Sequence, residues 1–246
     1  MKLVTNADHR QFFRKNHLIE FENLMSQSQL EELNQAIKLT LSERVGIRPE
    51  RVLQEQSEKL FKSGYNLWRD NDHIKKLVLS SHLAEVASDL IEFRPLRLAY
   101  DQFYSTTTHQ KHVFQQTEPN AYQDLLLQPR SLKEVSSVQG ILCGLMICLA
   151  GEKEEQPKEN TEEESGHKQQ IFSSNPGNGV FFSPEALLDF HTLSQKHPHR
   201  YLLITYTHPT SIYFLQDTNP QTHQLKNLGY VFGDKLSDKL NPIVFR

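Results

Sequence analysis

Apolar residues recur at helical spacing in the first third of the chain and at strand spacing after it. Leu30, Leu33, Ile37 and Leu41 line one face of a helix that Ser28 and Glu31 are placed to open as a capping box. A second helical region begins near Asn71 or Asp72 and runs through IKKLVLSSHLAEVASDLIEF, where Leu83, Val86, Ala87, Leu90 and Ile91 form an apolar stripe. Pro95 stops it, because the residue before a proline is pushed out of the helical region of backbone space.

Beyond Pro95 the period becomes two. Leu96, Leu98 and Tyr100 alternate with Arg97, Ala99 and Asp101, the pattern of a half-buried strand. The region Val135 to Ala150 supplies a further strand, with GILCGLMICLAG buried inside it. Gly179 to Phe182, Tyr201 to Thr207, Ser211 to Leu215 and Tyr230 to Phe232 are short β-branched or aromatic runs separated by Pro, Gly and Asn. Helices followed by many short strands predict an α+β chain in which helices buttress a β-sandwich or barrel. One stretch breaks the pattern. Residues 152–165, EKEEQPKENTEEES, hold seven glutamates and no large apolar residue, too little apolar surface to offset the entropy of ordering. We expect a single domain over 1–246 with a flexible acidic insertion at 152–178.

Composition narrows the function classes. The net charge of −3 gives no global attraction to nucleic acid or anionic lipid, and no basic cluster stands out. The apolar stretch from Gly140 to Gly151 is well short of the roughly 20 residues that cross a bilayer. MKLVTNADHRQFFRKNH lacks the apolar core of a secretion signal, so the mature chain is expected to start here. The two cysteines, Cys143 and Cys148, are an odd number of positions apart on one strand and should face opposite ways, unbridged. Buried free thiols suit a reducing, cytoplasmic setting. Phosphate-cradling glycine patterns, CxxC pairs, HExxH and nucleophile elbows do not occur.

The remaining chemistry is a sequence of ordered residues. YDQFYSTTTHQKHVF places His109 just past the first strand, and His191 and Arg200 follow on later elements. Two histidines and a carboxylate with open positions hold non-heme Fe(II), and a later arginine can grip a 2-oxoacid. The acid is missing: Lys111 stands two residues after His109. Each residue also has an ordinary reading. His109 lies in a polar stretch, His191 follows an apolar run, Arg200 could pair with any carboxylate, and the HPH run at 197–199 reads as a loop beside its proline.

With these residues in view, the chain resembles the phytanoyl-CoA dioxygenase family of Fe(II)/2-oxoglutarate oxygenases. HLIEFENLMSQSQLEELNQAI resembles that family's extended segment and capped helix. IKKLVLSSHLAEVASDLIEFRPLRLAYDQFY resembles its helix leading into the first barrel strand, with THQK in the place of its His-x-Asp. GNGVFFSP, His191 and Arg200 resemble its late strands. The resemblance implies a double-stranded β-helix (jelly-roll) core, His109 and His191 as metal ligands, and Arg200 as the 2-oxoglutarate anchor. It implies Fe(II) and 2-oxoglutarate as cofactors if the protein is active, and none if it is not. Three departures accompany it: Lys111 replaces the acid, eight residues separate His191 from Arg200 where about ten are usual, and the acidic stretch replaces a Gly-Ser-His-rich connection. An ammonium ~4 Å from a divalent ion costs about 8 kcal/mol at an effective dielectric near 20, unless the lysine turns outward. Asp124 and Glu118 are the nearest alternative carboxylates. Three readings stand: a hydroxylase, a small-molecule or protein binding module on the same fold, and an unrelated β-rich interaction protein.

Overall fold

The first long helix is capped two residues earlier than its sequence suggests. In the computed structural model, which describes residues 4–106, 121–151, 171–190 and 199–246, α1 (Ala7–Asn16) and β1 (Leu18–Phe21) precede α2 (Gln27–Val45). Ser26, not Ser28, is the cap of α2, and it exchanges hydrogen bonds with Gln29 in a capping box. Met25 just before the cap and Leu30 on the first turn are both buried in the same core, a hydrophobic staple that favours this start. Short helices α3 (Pro49–Val52) and α4 (Ser57–Ser63) follow. The second helical region is two helices, α5 (Asp72–Val78) and α6 (Ser81–Ile91). Asn71 caps α5 as expected, but Ser80 accepts the N–H of Leu83 and starts a new helix. Its hydroxyl competes with the helical backbone at that point. α6 ends on Glu92 in the left-handed region, before Pro95 is reached.

Six strands form one antiparallel sheet. β2 (Leu96–Ser105), β4 (Val138–Ala150), β5 (Gly179–Phe182), β7 (Arg200–Tyr213) and β8 (Ile243–Phe245) join β1 in the order β1-β5-β4-β7-β2-β8. α7 (Ala121–Leu127), β3 (Arg130–Ser131) and α8 (Leu132–Val135) lie between β2 and β4, and β3 pairs with β6 (Leu187–Leu188). The runs read separately as Tyr201–Thr207 and Ser211–Leu215 belong to the single strand β7. On β4 the partners step from Ile141↔Thr207 to Gln139↔Ile212, so β7 carries extra residues there and Pro209 occupies the interruption, where no ladder donor is needed. Tyr230–Phe232 is not a strand.

Each face of the sheet packs a different core. On one side Phe103, Leu145, Ile147, Leu202, Ile204 and Tyr206 meet α1, α2 and α6 through residues such as Phe13, Leu41 and Leu90. On the other, Tyr100, Tyr104, Met146, Val180, Phe182, Tyr201 and Leu203 meet Phe61, Tyr122, Phe172 and Phe190. β2 is therefore buried on both faces, not half-buried: all ten of its residues are buried. A register shift between Leu98 and Tyr100 lets residues of the same parity enter opposite cores. Its polar residues are satisfied internally. Asp101 accepts the backbone N–H of Leu67 (2.9 Å) and Trp68 (3.3 Å), pinning the 3₁₀ turn Leu67–Arg69 to the strand.

Cys143 lies in the helix-side core and Cys148 in the other, so the two thiols do point apart, and both are free. Burial raises each thiol to about 12. Neither cysteine should react with an aromatic disulfide reagent in the native protein, and both should react in denaturant. A fast native reaction would show that β4 is open to solvent. Of the stretch 152–178, residues 152–170 lie outside the described residues. The rest is packed: Ile171 and Phe172 are buried, and Ser173 accepts the hydroxyl of Tyr201 at its carbonyl (3.0 Å). These apolar side chains end the insertion before Ile171. Among the described residues no helix is long and apolar enough to cross a membrane.

Candidate functional site

Four points of the chain converge at one end of the sheet. β2 and β7 pair down to Tyr104↔Tyr201 and Ser105↔Arg200, and β4 ends beside them at Ala150↔Arg200. Just past β2, Thr106 donates its N–H to the His199 carbonyl and its hydroxyl accepts the His199 N–H, both at 2.9 Å. Gly151 leaves β4 so close to His199 that a Cβ there would meet the imidazole at 2.7 Å. Phe190 stacks on Tyr104 with ring centroids 4.8 Å apart. The residues from which the chain departs toward His109 and toward His191 are thus neighbours in space.

His109, His191, Lys111 and Glu118 themselves lie outside the described residues. Asp124 is described, and it is taken: its carboxylate pairs with Arg130 at 2.7 Å on α7. An ion pair of that geometry competes with any metal for the carboxylate. Among the described residues no group of three or more His, Cys, Asp or Glu side chains could hold a metal ion.

Arg200 is half-buried at the first position of β7. It forms no ion pair among the described residues, and burial lowers its pKa from the usual guanidinium value. Alternation does not fix its direction: Ser105↔Arg200 continues the parity of Phe103↔Leu202 in the helix-side core, whereas Ala150↔Arg200 follows a register shift on β4, and Arg200 interacts electrostatically with Cys148 of the other core. The neighbouring basic residue is His199. It is 4% exposed, and its ring lies parallel to that of Tyr201, with centroids 6.0 Å apart and planes 6° apart. His199 is a loop residue, as expected of the HPH run, but a buried one just before β7; His197 and Pro198 lie outside the described residues.

The inner face beneath this rim is aromatic. Phe61 touches Tyr104 (5.4 Å between centroids) and Tyr122 (5.0 Å), Phe172 touches Phe190 (4.9 Å) and Tyr201 (5.2 Å), and Tyr65 stacks on Tyr100 (5.3 Å). Burial raises the phenol pKa of Tyr65, Tyr100, Tyr104 and Tyr122, so these hydroxyls are neutral donors at physiological pH. Deeper, Gln102 donates to the Phe61 carbonyl (2.8 Å) and accepts from Gln221 (3.2 Å). Such a face offers stacking surface and hydrogen bonds from neutral groups, and no ionised nucleophile. Sequence spacing carried a trace of it, since Tyr100, Gln102 and Tyr104 share parity, but nothing in the sequence joined them to Phe61, Phe172 or Phe190.

No family model matches this sequence, and no curated protein matches it. Solved structures do. The chain is similar to the non-heme α-ketoglutarate-dependent carbocyclase SnoK from nogalamycin biosynthesis, with a TM-score of 0.62 at 12% identity over 97% of this chain and 96% of that one. The α-ketoglutarate-dependent epimerase SnoN of the same biosynthesis gives 0.62 at 14% identity, covering 97% and 98%. EctD from S. alaskensis, solved with bound Fe, gives 0.52 at 11% identity, covering 82% and 76%. At such identities the likeness shows a shared fold: mixed helix and antiparallel sheet, as in these non-heme oxygenases.

Proposed function

We propose that this chain is a phytanoyl-CoA dioxygenase-like protein with a double-stranded β-helix core whose iron site is degenerate, and that its inner face serves as a small-molecule binding site. The observation that carries this reading is the order of residues at the rim. Just before β7, His199 lies parallel to Tyr201 of the inner face, and Lys111 stands where the family has its acid. The carboxylate anchor that the family uses for iron is thereby missing. The aromatic lining and neutral phenols suit a flat, largely apolar ligand.

The hydroxylase reading keeps one specific support. Arg200 is half-buried without a carboxylate partner among the described residues, and a guanidinium in that state favours an anion. In that reading His109 and His191 would hold Fe(II) and Arg200 would hold 2-oxoglutarate, with the iron supplying the oxidising chemistry. Among the described residues no ligand set for the metal is present.

Calorimetry with a divalent iron surrogate separates the two. The wild-type chain is expected to bind weakly or not at all, and Lys111→Asp to raise affinity by completing a two-histidine, one-carboxylate set. His109→Ala or His191→Ala in the Lys111→Asp background should abolish the gain. An unchanged affinity in a folded Lys111→Asp variant would mean that the three residues do not meet. Tight binding by the wild type would reverse the preference in favour of the enzyme.

A further inference from the structure

At the opposite end of β2 from the rim, a cleft of about 420 Å³ opens where the strand begins. Pro95, Pro209 and Ile243 form its apolar walls, and Arg94, Arg97 and Arg246 supply its charge, opposed by the side-chain carboxylate of Asp238. Eight residues of strand, roughly 26 Å at 3.3 Å each, separate Arg97 from Ser105. This is a second location, independent of the reading given above.

Arg97 is the built part. It is only 5% exposed, and backbone acceptors hold its guanidinium rigidly: Nε donates to the Pro209 carbonyl at 3.1 Å and Nη1 to the Asn241 carbonyl. Nη2 donates to Asp238 at 2.6 Å, from a carboxylate side chain that is 68% exposed. Three of its five N–H groups are thereby engaged, which leaves two. Arg94 and Arg246 are exposed and, among the described residues, form no ion pair. The cleft therefore gathers three guanidinium groups against one carboxylate side chain in a chain whose net charge is −3.

We propose that this cleft binds a small phosphorylated molecule. Planar guanidinium forks match tetrahedral phosphate oxygens, and apolar walls strengthen each charge-assisted bond by excluding water. The volume lies in the ordinary range of small-ligand pockets, about 300–1,000 Å³. The walls of two prolines and an isoleucine leave room for a compact apolar remainder beside the phosphate.

The test is calorimetry on the full chain at low ionic strength, with inorganic phosphate, glycerol 3-phosphate and succinate as separate titrants. Saturable binding of both phosphates, tighter than succinate, is expected. Arg94→Gln combined with Arg246→Gln should weaken it about tenfold or more, with thermal unfolding unchanged because both side chains are exposed. Asp238→Asn removes the opposing charge and should tighten binding. Absence of saturable phosphate binding, or a double variant that binds as the wild type does, would overturn the proposal. Sedimentation with phosphatidylglycerol vesicles gives the last arm: binding to vesicles without binding to the soluble phosphates would overturn the small-molecule form.

Discussion

Leu145→Ala and Ile147→Ala should each destabilise the protein by about 2–5 kcal/mol, read as a shift in chemical-denaturation midpoint at constant slope. Both side chains are fully buried in the middle of β4, on the face covered by the helices. Leu145 stands opposite Phe181 on β5 and Ile204 on β7, and Ile147 opposite Leu202, so truncation removes contacts to two neighbouring strands and to the helical layer together. The walls of such a cavity belong to hydrogen-bonded strands and relax little. Met146→Ala, on the opposite face, should cost a comparable amount through the other core, where Met146 is 1% exposed. If Leu145→Ala and Ile147→Ala are both silent, the helices do not cover β4 as described.

Asp101 should give the protein an unusual pH dependence. Its carboxyl is fully buried, and burial raises it from 3.8 to about 7, against the opposing pull of the Trp68 and Leu67 N–H groups and of Arg44 and Arg69. A folded-state value above the unfolded one means that the native state holds the proton more tightly. The contribution to stability is therefore fully present below about pH 4 and is lost as pH rises toward 7, by roughly 4 kcal/mol in all. Asp101→Asn removes the titration while keeping an acceptor for one of the two N–H groups. The stability difference between the two proteins, measured by denaturation from pH 4.5 to 8.5, should change steadily, the wild type losing ground relative to Asp101→Asn as pH rises toward 7 and the difference levelling off above it. Parallel curves across that range would show that the carboxyl is not buried or that a cation has neutralised it.

Periodicity was enough for α2, for the α5–α6 region and for the central strands β2, β4, β5 and β7, because these depend on local spacing; the short helices and the edge strands gave no such signal. Leu30, Leu33, Ile37 and Leu41 are buried where a 3.6-residue period puts them, and Gly179–Phe182 is a strand with the same limits in sequence and structure. Errors fell where a side chain competes with the backbone or a strand breaks register. Ser80 divides one apparent helix into two, and Pro209 makes one strand look like two. Asp101 looked like the exposed residue of an alternating strand, because nothing local announces that the turn at Leu67 will cover it.

The candidate site follows the same division. Residue types and order along the chain were enough to suggest a metal-binding fold missing its acid, since a lysine at position 111 cannot ligate a cation in any conformation. Which way His199 points was not available from the sequence, because its place beside Tyr201 depends on the register of β7 with β2 and β4. The pairing of Asp124 with Arg130 and the joining of Phe61, Tyr104, Phe172 and Phe190 into one aromatic face likewise depend on contacts between residues far apart in the chain or on local geometry that composition does not encode. Local spacing alone determined the two main helical regions and the central strands. The tertiary structure decided which of their polar residues face a core, a partner or an open cleft, because burial and register are properties of long-range packing.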